Sequence, residues 1–183
     1  MLTKNTFPAL ALWAGVATFF ALTFTAAPSR AEIAIGADLD YAIPVKSDAK
    51  SGWGFGIRLG YQMHVPAVVL TPEIAFTYHD FSGNFAPKVY RGLAGLRLGI
   101  GEIIRPGVFA HLGIGRFAIN IPGPDSIDIS HTAFTYDFGA FLDFTPIPLL
   151  NIGIHAAYNH LNGGNHADGF QWVTLGAQAA IIF

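Results

Sequence analysis

The sequence has 183 residues, no cysteine and a formal net charge of −2. Charged residues make up only 12% of the chain and hydrophobic residues 52%, whereas soluble globular proteins average about 25% charged residues. The length fits a single domain. The slightly acidic balance does not indicate a nucleic-acid-binding protein, and the lack of cysteine excludes disulfides and thiolate metal sites.

The first 31 residues are typical of a secretory signal peptide. Lys4 precedes a nearly uncharged apolar stretch, and Ser29 and Ala31 place small residues at the −3 and −1 positions of a cleavage site. We therefore expect cleavage after Ala31 and a mature domain of residues 32–183, with an uncleaved N-terminal anchor as the alternative. The mature part keeps the twelve acidic residues but only eight basic ones, so its net charge is −4.

The mature part lacks the run of about 20 apolar residues that predicts a membrane-spanning helix. Apolar residues instead recur at every second position, which is typical of strands with two different faces. In the last segment, for example, Val173 and Leu175 alternate with Thr174 and Gly176. The pattern predicts eight strands, at 33–43, 52–64, 69–80, 88–101, 107–119, 132–144, 150–160 and 170–183.

Short and longer breaks alternate between these predicted strands. The short breaks are 65–67, 102–106 and 145–148. Each contains proline, which cannot donate a hydrogen bond to a strand ladder. The longer and more polar breaks are 44–51, 81–87, 120–131 and 161–169. This alternation is typical of membrane barrels with short periplasmic turns and longer extracellular loops.

The two faces of the predicted strands differ in chemistry. One carries bulky apolar residues such as Ile57, Leu112 and Ile154, and the other carries glycine, alanine and scattered polar residues. The polar members of that second face are Asp38, Asp40, Arg58, Gln62, Glu73, Arg91, Arg97, His111, Asp137, Asp143, His155 and Gln178. Such a face has too few lysines to be a soluble surface. An apolar outside and a polar inside therefore fit a closed barrel in lipid.

Aromatic residues form two groups along the predicted strands. The group near the loop ends is Tyr41, Trp53, Tyr78, Phe134, Tyr136 and Tyr158, and the group near the turn ends is Tyr61, Phe144 and Phe183. With these two girdles, residues 32–183 resemble the small outer-membrane β-barrel family, the class of the outer-membrane protein A transmembrane domain. The resemblance implies an all-β, eight-stranded antiparallel up-and-down barrel, integral to the outer membrane of a Gram-negative cell envelope.

The closing segment is the most motif-like part of that resemblance. Residues 179–183 alternate apolar side chains and end in Phe183. This is similar to the family's C-terminal signal, which implies recognition by the outer-membrane assembly machinery. The other partners that we expect are outer-membrane lipid and lipopolysaccharide. We expect a monomer with no cofactor, no metal and no nucleic-acid partner.

The inner charges are expected to pair between neighbouring strands. Paired positions across a hairpin have a constant sum, and the loop centres set Asp38 opposite Arg58, and Arg97 opposite His111. The same sums set Glu73 diagonal to Arg58 and near Arg97. Eight strands leave an interior that side chains can fill, and unpaired charges there are costly. We therefore predict a plugged polar interior, with a porin-like passive pore or a proton path as the alternative.

Two segments carry residue types that hydrolases use. Asp128, Ser130 and His131 share a predicted loop and are the only local set with nucleophile, base and carboxylate. The position of His160 before the last strand is similar to the His-x-Ser motif of lipid A 3-O-deacylases, but Asn162 replaces the serine and the closing strand has no glutamate. We therefore expect a non-enzymatic barrel that serves envelope structure or surface interaction. A lipid A-modifying acyl hydrolase on the same barrel is the alternative.

Arg116 is the exception to the apolar outer face. It shares its parity with Leu112 and Ile114, well above the preceding turn. A charge at the bilayer centre costs about 2–4 kcal/mol, and the cost falls toward zero at the interface. We expect Arg116 to reach the outer headgroups and to contact lipopolysaccharide phosphate. A bulge that turns it inward is the alternative.

Overall fold

The structure, a computed structural model, describes residues 30–45, 47, 49–65, 67–83, 87–121, 127–163 and 169–183. Its strands are β1 (Arg30–Val45), β2 (Lys50–Val65), β3 (Val68–Ser82), β4 (Pro87–Ile100), β5 (Ile104–Ile121), β6 (Ile127–Ile147), β7 (Leu150–Leu161) and β8 (Phe170–Ile182). Most of the predicted signal peptide lies outside the described residues, and its cleavage after Ala31 stays a prediction. No helix among the described residues is long and apolar enough to cross a membrane.

The eight strands form one closed antiparallel barrel in chain order, in which β1 pairs with β8. At the closing seam, the backbone N–H of Ile33 donates to the carbonyl of Phe183 at 3.0 Å, and the N–H of Phe183 donates to Ile33 at 2.9 Å. Closure gives each described strand a neighbour on both sides, although residues 127–133 of β6 extend beyond its pairing with β7. The predicted all-β up-and-down barrel is confirmed.

Six of the eight strands are longer than predicted, and two of them, β5 and β6, continue through a proline that the sequence pattern places in a break. Pro106 belongs to β5 and Pro146 to β6. Pro146 falls in a register shift between Phe144 and Ile147, and an irregular position of this kind tolerates the missing donor. All four of the longer predicted breaks are shorter as well, most of all the third, because the gap between β5 and β6 spans only residues 122–126.

Side chains alternate between the outside and the inside of the barrel, as the parity of the strands predicts. Ile114 and Ile154 are 65% and 62% exposed on the outer face, whereas Arg91 and Asp137 are 3% and 5% exposed in the interior. This polarity is the reverse of that in a water-soluble barrel and matches a barrel surrounded by hydrocarbon.

Aromatic rings border the apolar outer surface at both ends. Near the loops, Tyr41 packs on Trp53 with ring centroids 5.2 Å apart, and Tyr78 packs on Tyr90 at 4.8 Å. At the other end Tyr61, Phe144 and Phe183 are exposed. On β5, the outward residues from Ile104 to Ile114 are apolar. With a strand rise of about 3.3 Å and a tilt near 40°, they cover about 25 Å, the height of the apolar band of a membrane barrel.

Candidate functional site

Glu73 is the centre of the charged cluster inside the barrel. Its carboxylate oxygens lie 3.8 Å from Nε of Arg58 on β2 and 3.6 Å from Nε of Arg97 on β4. Arg58 also forms an ion pair and hydrogen bond with Asp38 on β1. Charges of opposite sign therefore alternate around one side of the lumen, from β1 to β4. Pairing of this kind reduces the penalty of burying them.

His111 on β5 extends this cluster by bridging two carboxylates. Its Nε2 lies 2.9 Å from Oε1 of Glu73, and its Nδ1 lies 2.7 Å from Oδ1 of Asp137. With both carboxylates ionised, each only accepts hydrogen bonds, so both ring nitrogens donate and the ring is the charged imidazolium. The other carboxylate oxygen of Asp137 accepts from Nη1 of Arg91 at 3.2 Å. The Nε of Arg91 donates in turn to Thr77 Oγ1 at 3.0 Å.

Other contacts run across the lumen. Arg97 on β4 donates to Oε1 of Gln178 on β8, and Gln178 donates to Asp143 on β6. The guanidinium of Arg97 also lies over two aromatic rings, 4.2 Å from the centroid of Phe141 and 5.2 Å from that of Phe109. Cation–π contacts strengthen when water is excluded, so these rings hold the Arg97 head inside the barrel.

A second cluster lies nearer the loops and is centred on Asp40. Its Oδ1 lies 2.8 Å from Nε2 of His155, and its Oδ2 lies 3.3 Å from Nε2 of His79. His79 is fully buried, and its ring packs edge-on against Trp172, with centroids 5.7 Å apart. Asp40 thus joins β3 and β7 to β1 through the interior.

An apolar cap lies at the loop end of the lumen, above these clusters. Its buried members are Ala42, Phe81, Val89, Leu161 and Trp172, with Phe117, Ala133 and Phe170 packed against them. Arg91 contacts the cap from below, since its guanidinium carbon lies 4.8 Å from the centroid of Trp172. Between the side chains of the polar clusters remains a cavity of about 50 Å³. A space of that size holds a few water molecules at most.

The predicted ladder needs two corrections of register. Asp38 lies opposite Gly56, and Arg58 lies opposite Gly36. The two charged residues therefore meet diagonally and not directly across. Glu73 has the predicted offset from Arg58, because β2 and β3 pair as expected.

The second correction concerns Arg97, which lies opposite Phe109 and not opposite His111. The physical reason is the turn between β4 and β5. Gly101 has a φ of 106°, a conformation that glycine adopts without strain. The chain reverses there, one residue earlier than predicted. That shift moves each pairing on β5 by two positions and places His111 within contact distance of Glu73.

Arg116 lies on the outer face of β5, near the loop end of the barrel. It is exposed and lies opposite Tyr90 on β4 and Thr132 on β6, with no register shift in either pairing. Its Nη2 donates to Ser130 Oγ at 3.2 Å. The alternative in which a bulge turns Arg116 inward is therefore wrong. Lys88, two residues before Tyr90, is also exposed at this level.

No protein-family model matches the sequence, and no curated protein is significantly similar to it. Solved structures do match. Neisserial surface protein A has a TM-score of 0.65 at 17% identity, covering 82% of this chain and 97% of that one. Ail, the attachment invasion locus protein of Yersinia pestis, has a TM-score of 0.51 at 22% identity, covering 84% and 97%. The chain has the fold of the small eight-stranded outer-membrane β-barrels.

The outer membrane enzyme PagL has this barrel fold too, with a TM-score of 0.53 at 18% identity, covering 77% of this chain and 97% of that one. At these identities the likeness shows the fold alone. Whether the chain carries hydrolase chemistry therefore depends on its own side chains.

Neither candidate hydrolase set is assembled among the described side chains. Ser130 lies opposite Ala118 and faces outward, whereas His131 is the next residue of β6 and lies opposite Phe117. Successive side chains of a strand point to opposite faces, so the two point apart, and the side chain of Asp128 lies outside the described residues. The Nε2 of His160 lies 2.9 Å from Oδ1 of Asn162, and its ring stacks on Tyr136 at 4.9 Å. An amide in the place of a hydroxyl offers His160 no nucleophile to activate.

Proposed function

We propose that the protein is an integral outer-membrane β-barrel with a closed lumen, which serves envelope structure or surface interaction without enzymatic activity. The observation that carries this proposal is the reversed polarity of the whole barrel. An apolar band about 25 Å high, with aromatic borders, surrounds a charged interior. Outer-membrane proteins of the same fold support this location.

The packed interior supports a closed lumen. An ion that crossed the barrel would have to displace the apolar cap around Trp172 and then separate the pairs that Glu73 and Asp137 form. Breaking one buried ion pair costs about 3–5 kcal/mol. A cost of this size at several levels argues against a passive pore.

The short connections at the loop end support a structural role over an adhesive one. They span residues 46–49, 83–86, 122–126 and 162–169. Protein interfaces of standard size need about 800 Å² on each partner. Loops of this length add little surface beyond the rim, so a binding partner would have to contact the rim itself.

A localisation and conductance experiment tests the barrel and its closed lumen. The protein is expressed, the membranes are fractionated, and the outer-membrane fraction is examined for a heat-dependent shift in electrophoretic mobility. The purified barrel is then inserted into planar lipid bilayers. We expect outer-membrane recovery, heat-modifiability and no discrete conductance steps. Regular single-channel steps from the wild-type barrel would contradict the closed lumen, and recovery in the soluble fraction would contradict the barrel in the membrane.

Mass spectrometry of envelope lipids tests the absence of enzymatic activity. Lipid A from cells with and without the protein should carry the same acyl chains. A matched His160→Ala variant provides the control. Loss of an acyl chain in cells with the wild type, but not in cells with His160→Ala, would establish the hydrolase alternative.

A further inference from the structure

We propose that Lys88 and Arg116 form a binding site for the phosphate of one lipid A molecule in the outer leaflet. This inference rests on the proposed outer-membrane location and gives the barrel a specific lipid partner. The two side chains are exposed on adjacent strands at the loop end of the barrel.

Lys88 and Arg116 lie at a similar height on the barrel, above the apolar band. Outward positions of β5 are apolar from Ile104 to Ile114, and Arg116 is the next outward residue. On β4, Tyr90 is the outward girdle residue opposite Arg116, and Lys88 follows it toward the loop. Because the apolar band is about 25 Å high, both basic groups lie just beyond it, at the level of lipid phosphates.

The spacing of the two groups suits a single phosphate. Arg116 lies opposite Tyr90, and Lys88 lies opposite Ala118, so the two basic residues are diagonal neighbours. Diagonal neighbours in an antiparallel pair have Cα atoms about 7–8 Å apart, within reach of long side chains that converge on one group. Arg116 donates one hydrogen bond to Ser130. Its remaining guanidinium donors can form the two parallel hydrogen bonds by which arginine binds a phosphate.

Among the side chains that the structure describes, one acidic residue lies beside these two basic groups. Asp80 lies opposite Lys88 on the other side and accepts a hydrogen bond from the hydroxyl of Tyr78 at 3.1 Å. The ion pairs within 4.0 Å among the described residues do not include Lys88 or Arg116. The described side chains of β3, β4 and β5 at this rim, Asp80, Lys88 and Arg116, therefore carry a net positive charge.

A furrow in the apolar surface continues below the two basic groups. Gly92, the next outward residue of β4 after Tyr90, lies between Phe76 and Ile114. A Cβ atom at Gly92 would find no heavy atom within 4 Å. The strands on either side are about 10 Å apart, which is room for one acyl chain. A phosphate clamp with a chain-width furrow beneath it matches a phosphorylated lipid better than a free phosphate.

Binding of lipid A to the purified, detergent-solubilised barrel tests this inference. Lipid retained on the protein is measured by native mass spectrometry during a titration with diphosphorylated lipid A, dephosphorylated lipid A or phosphatidylglycerol. We expect Lys88→Gln with Arg116→Gln to weaken binding of diphosphorylated lipid A by at least about tenfold, in line with the loss of charge-assisted hydrogen bonds. Lys50→Gln, which removes a basic group from the rim at β2, should change the affinity less than about twofold by the same reasoning.

Gly92→Leu tests the furrow separately. It keeps both basic groups and fills the channel below them, so we expect weaker binding of lipid A by about threefold. Heat-modifiability of each variant shows that the barrel is folded. Equal binding by the wild type and the double variant would overturn the inference, as would equal binding of dephosphorylated lipid A or phosphatidylglycerol. A wild type that is not heat-modifiable would instead contradict the proposed function.

Discussion

Arg97 and Gln178 meet across the barrel lumen, from β4 to β8, although 81 residues separate them in the chain. Both terminal nitrogens of the guanidinium lie within hydrogen-bond distance of Gln178 Oε1, at 3.3 and 2.9 Å. Gln178 also contacts Asp143 on β6. The interior is therefore connected across the lumen as well as around the wall, and Arg97 links the two sets of contacts.

Removing Arg97 is expected to destabilise the barrel strongly. Arg97→Leu deletes a buried positive charge near Glu73 and leaves the Gln178 carbonyl oxygen without its donor. We expect a loss of about 3–5 kcal/mol in the free energy of unfolding. Urea-induced unfolding in lipid bilayers, followed by tryptophan fluorescence, measures it. A loss below about 1 kcal/mol, typical of an exposed pair, would show that Arg97 is solvated and not buried in the network.

Substituting Arg97 and Glu73 together tests whether they act as a pair. The double variant with leucine at both positions should recover part of the loss, with a coupling energy of about 0.5–3 kcal/mol. The coupling is limited because Glu73 keeps its contacts with His111 and Arg58 in the single variant. Strictly additive losses would mean that Arg97 stabilises the barrel through its contacts with Gln178 and the rings of Phe109 and Phe141, and not through Glu73.

The faces of the strands could be predicted from the sequence, because side chains alternate with period two whatever the length of the loops. Register depends on the turns, since a shift of one residue in a turn centre moves every pairing by two. The hairpin from β2 to β3 was predicted correctly, and Glu73 lies diagonal to Arg58 as expected. The hairpin from β4 to β5 was not, because the φ of Gly101 is not visible in the sequence.

Contacts across the lumen could not be predicted from hairpin sums at all. They depend on which strands face each other in the closed barrel and on how far long side chains extend. The hydrogen bonds of Arg97 on β4 with Gln178 on β8 are of this kind. Trp172 lies at an inward-facing position of β8, which indicates a buried ring. Its packing on Phe81 and Phe170, however, depends on the closure of the barrel.

The bridge made by His111 predicts a specific effect of charge. His111→Gln removes the imidazolium between Glu73 and Asp137 but keeps an amide donor. We expect a loss of about 3–5 kcal/mol in the free energy of unfolding, because two buried carboxylates lose a shared counter-charge. Nitrogen NMR of the wild-type ring should show hydrogen on both nitrogens at neutral pH.

The matched control for His111 is His131→Gln at the exposed rim, which should change the stability by less than about 0.5 kcal/mol. If the glutamine at position 111 were as stable as the wild type, the charge of the imidazolium would not be needed. The bridge would then be an ordinary pair of hydrogen bonds.

Phe183 is expected to act in assembly more than in the stability of the finished barrel. Its backbone closes the seam with Ile33, whereas its side chain is 67% exposed on the outer face. Phe183→Asp keeps the backbone bonds, so the purified variant should still refold in detergent. In cells, its outer-membrane level should fall several-fold below that of a Phe183→Tyr control. Equal levels of the two variants, measured by immunoblot of membrane fractions, would contradict a C-terminal assembly signal.

Two neighbouring glycines, Gly113 and Gly92, are expected to respond differently to substitution by alanine. Gly113 on β5 faces the interior, where an added Cβ would lie 2.0 Å from the carbonyl oxygen of Gly92 and 2.9 Å from Cα of Leu93. Gly92 itself faces outward, where an added Cβ meets open space. Backbone atoms cannot move aside as the end of a flexible side chain can, so Gly113→Ala should cost about 1–3 kcal/mol. Gly92→Ala should stay within about 0.5 kcal/mol of the wild type.

Unfolding in lipid bilayers measures both variants under one condition. A similar loss in the two would mean that glycine is needed on β4 and β5 for strand pairing in general, and not for the close approach at position 113.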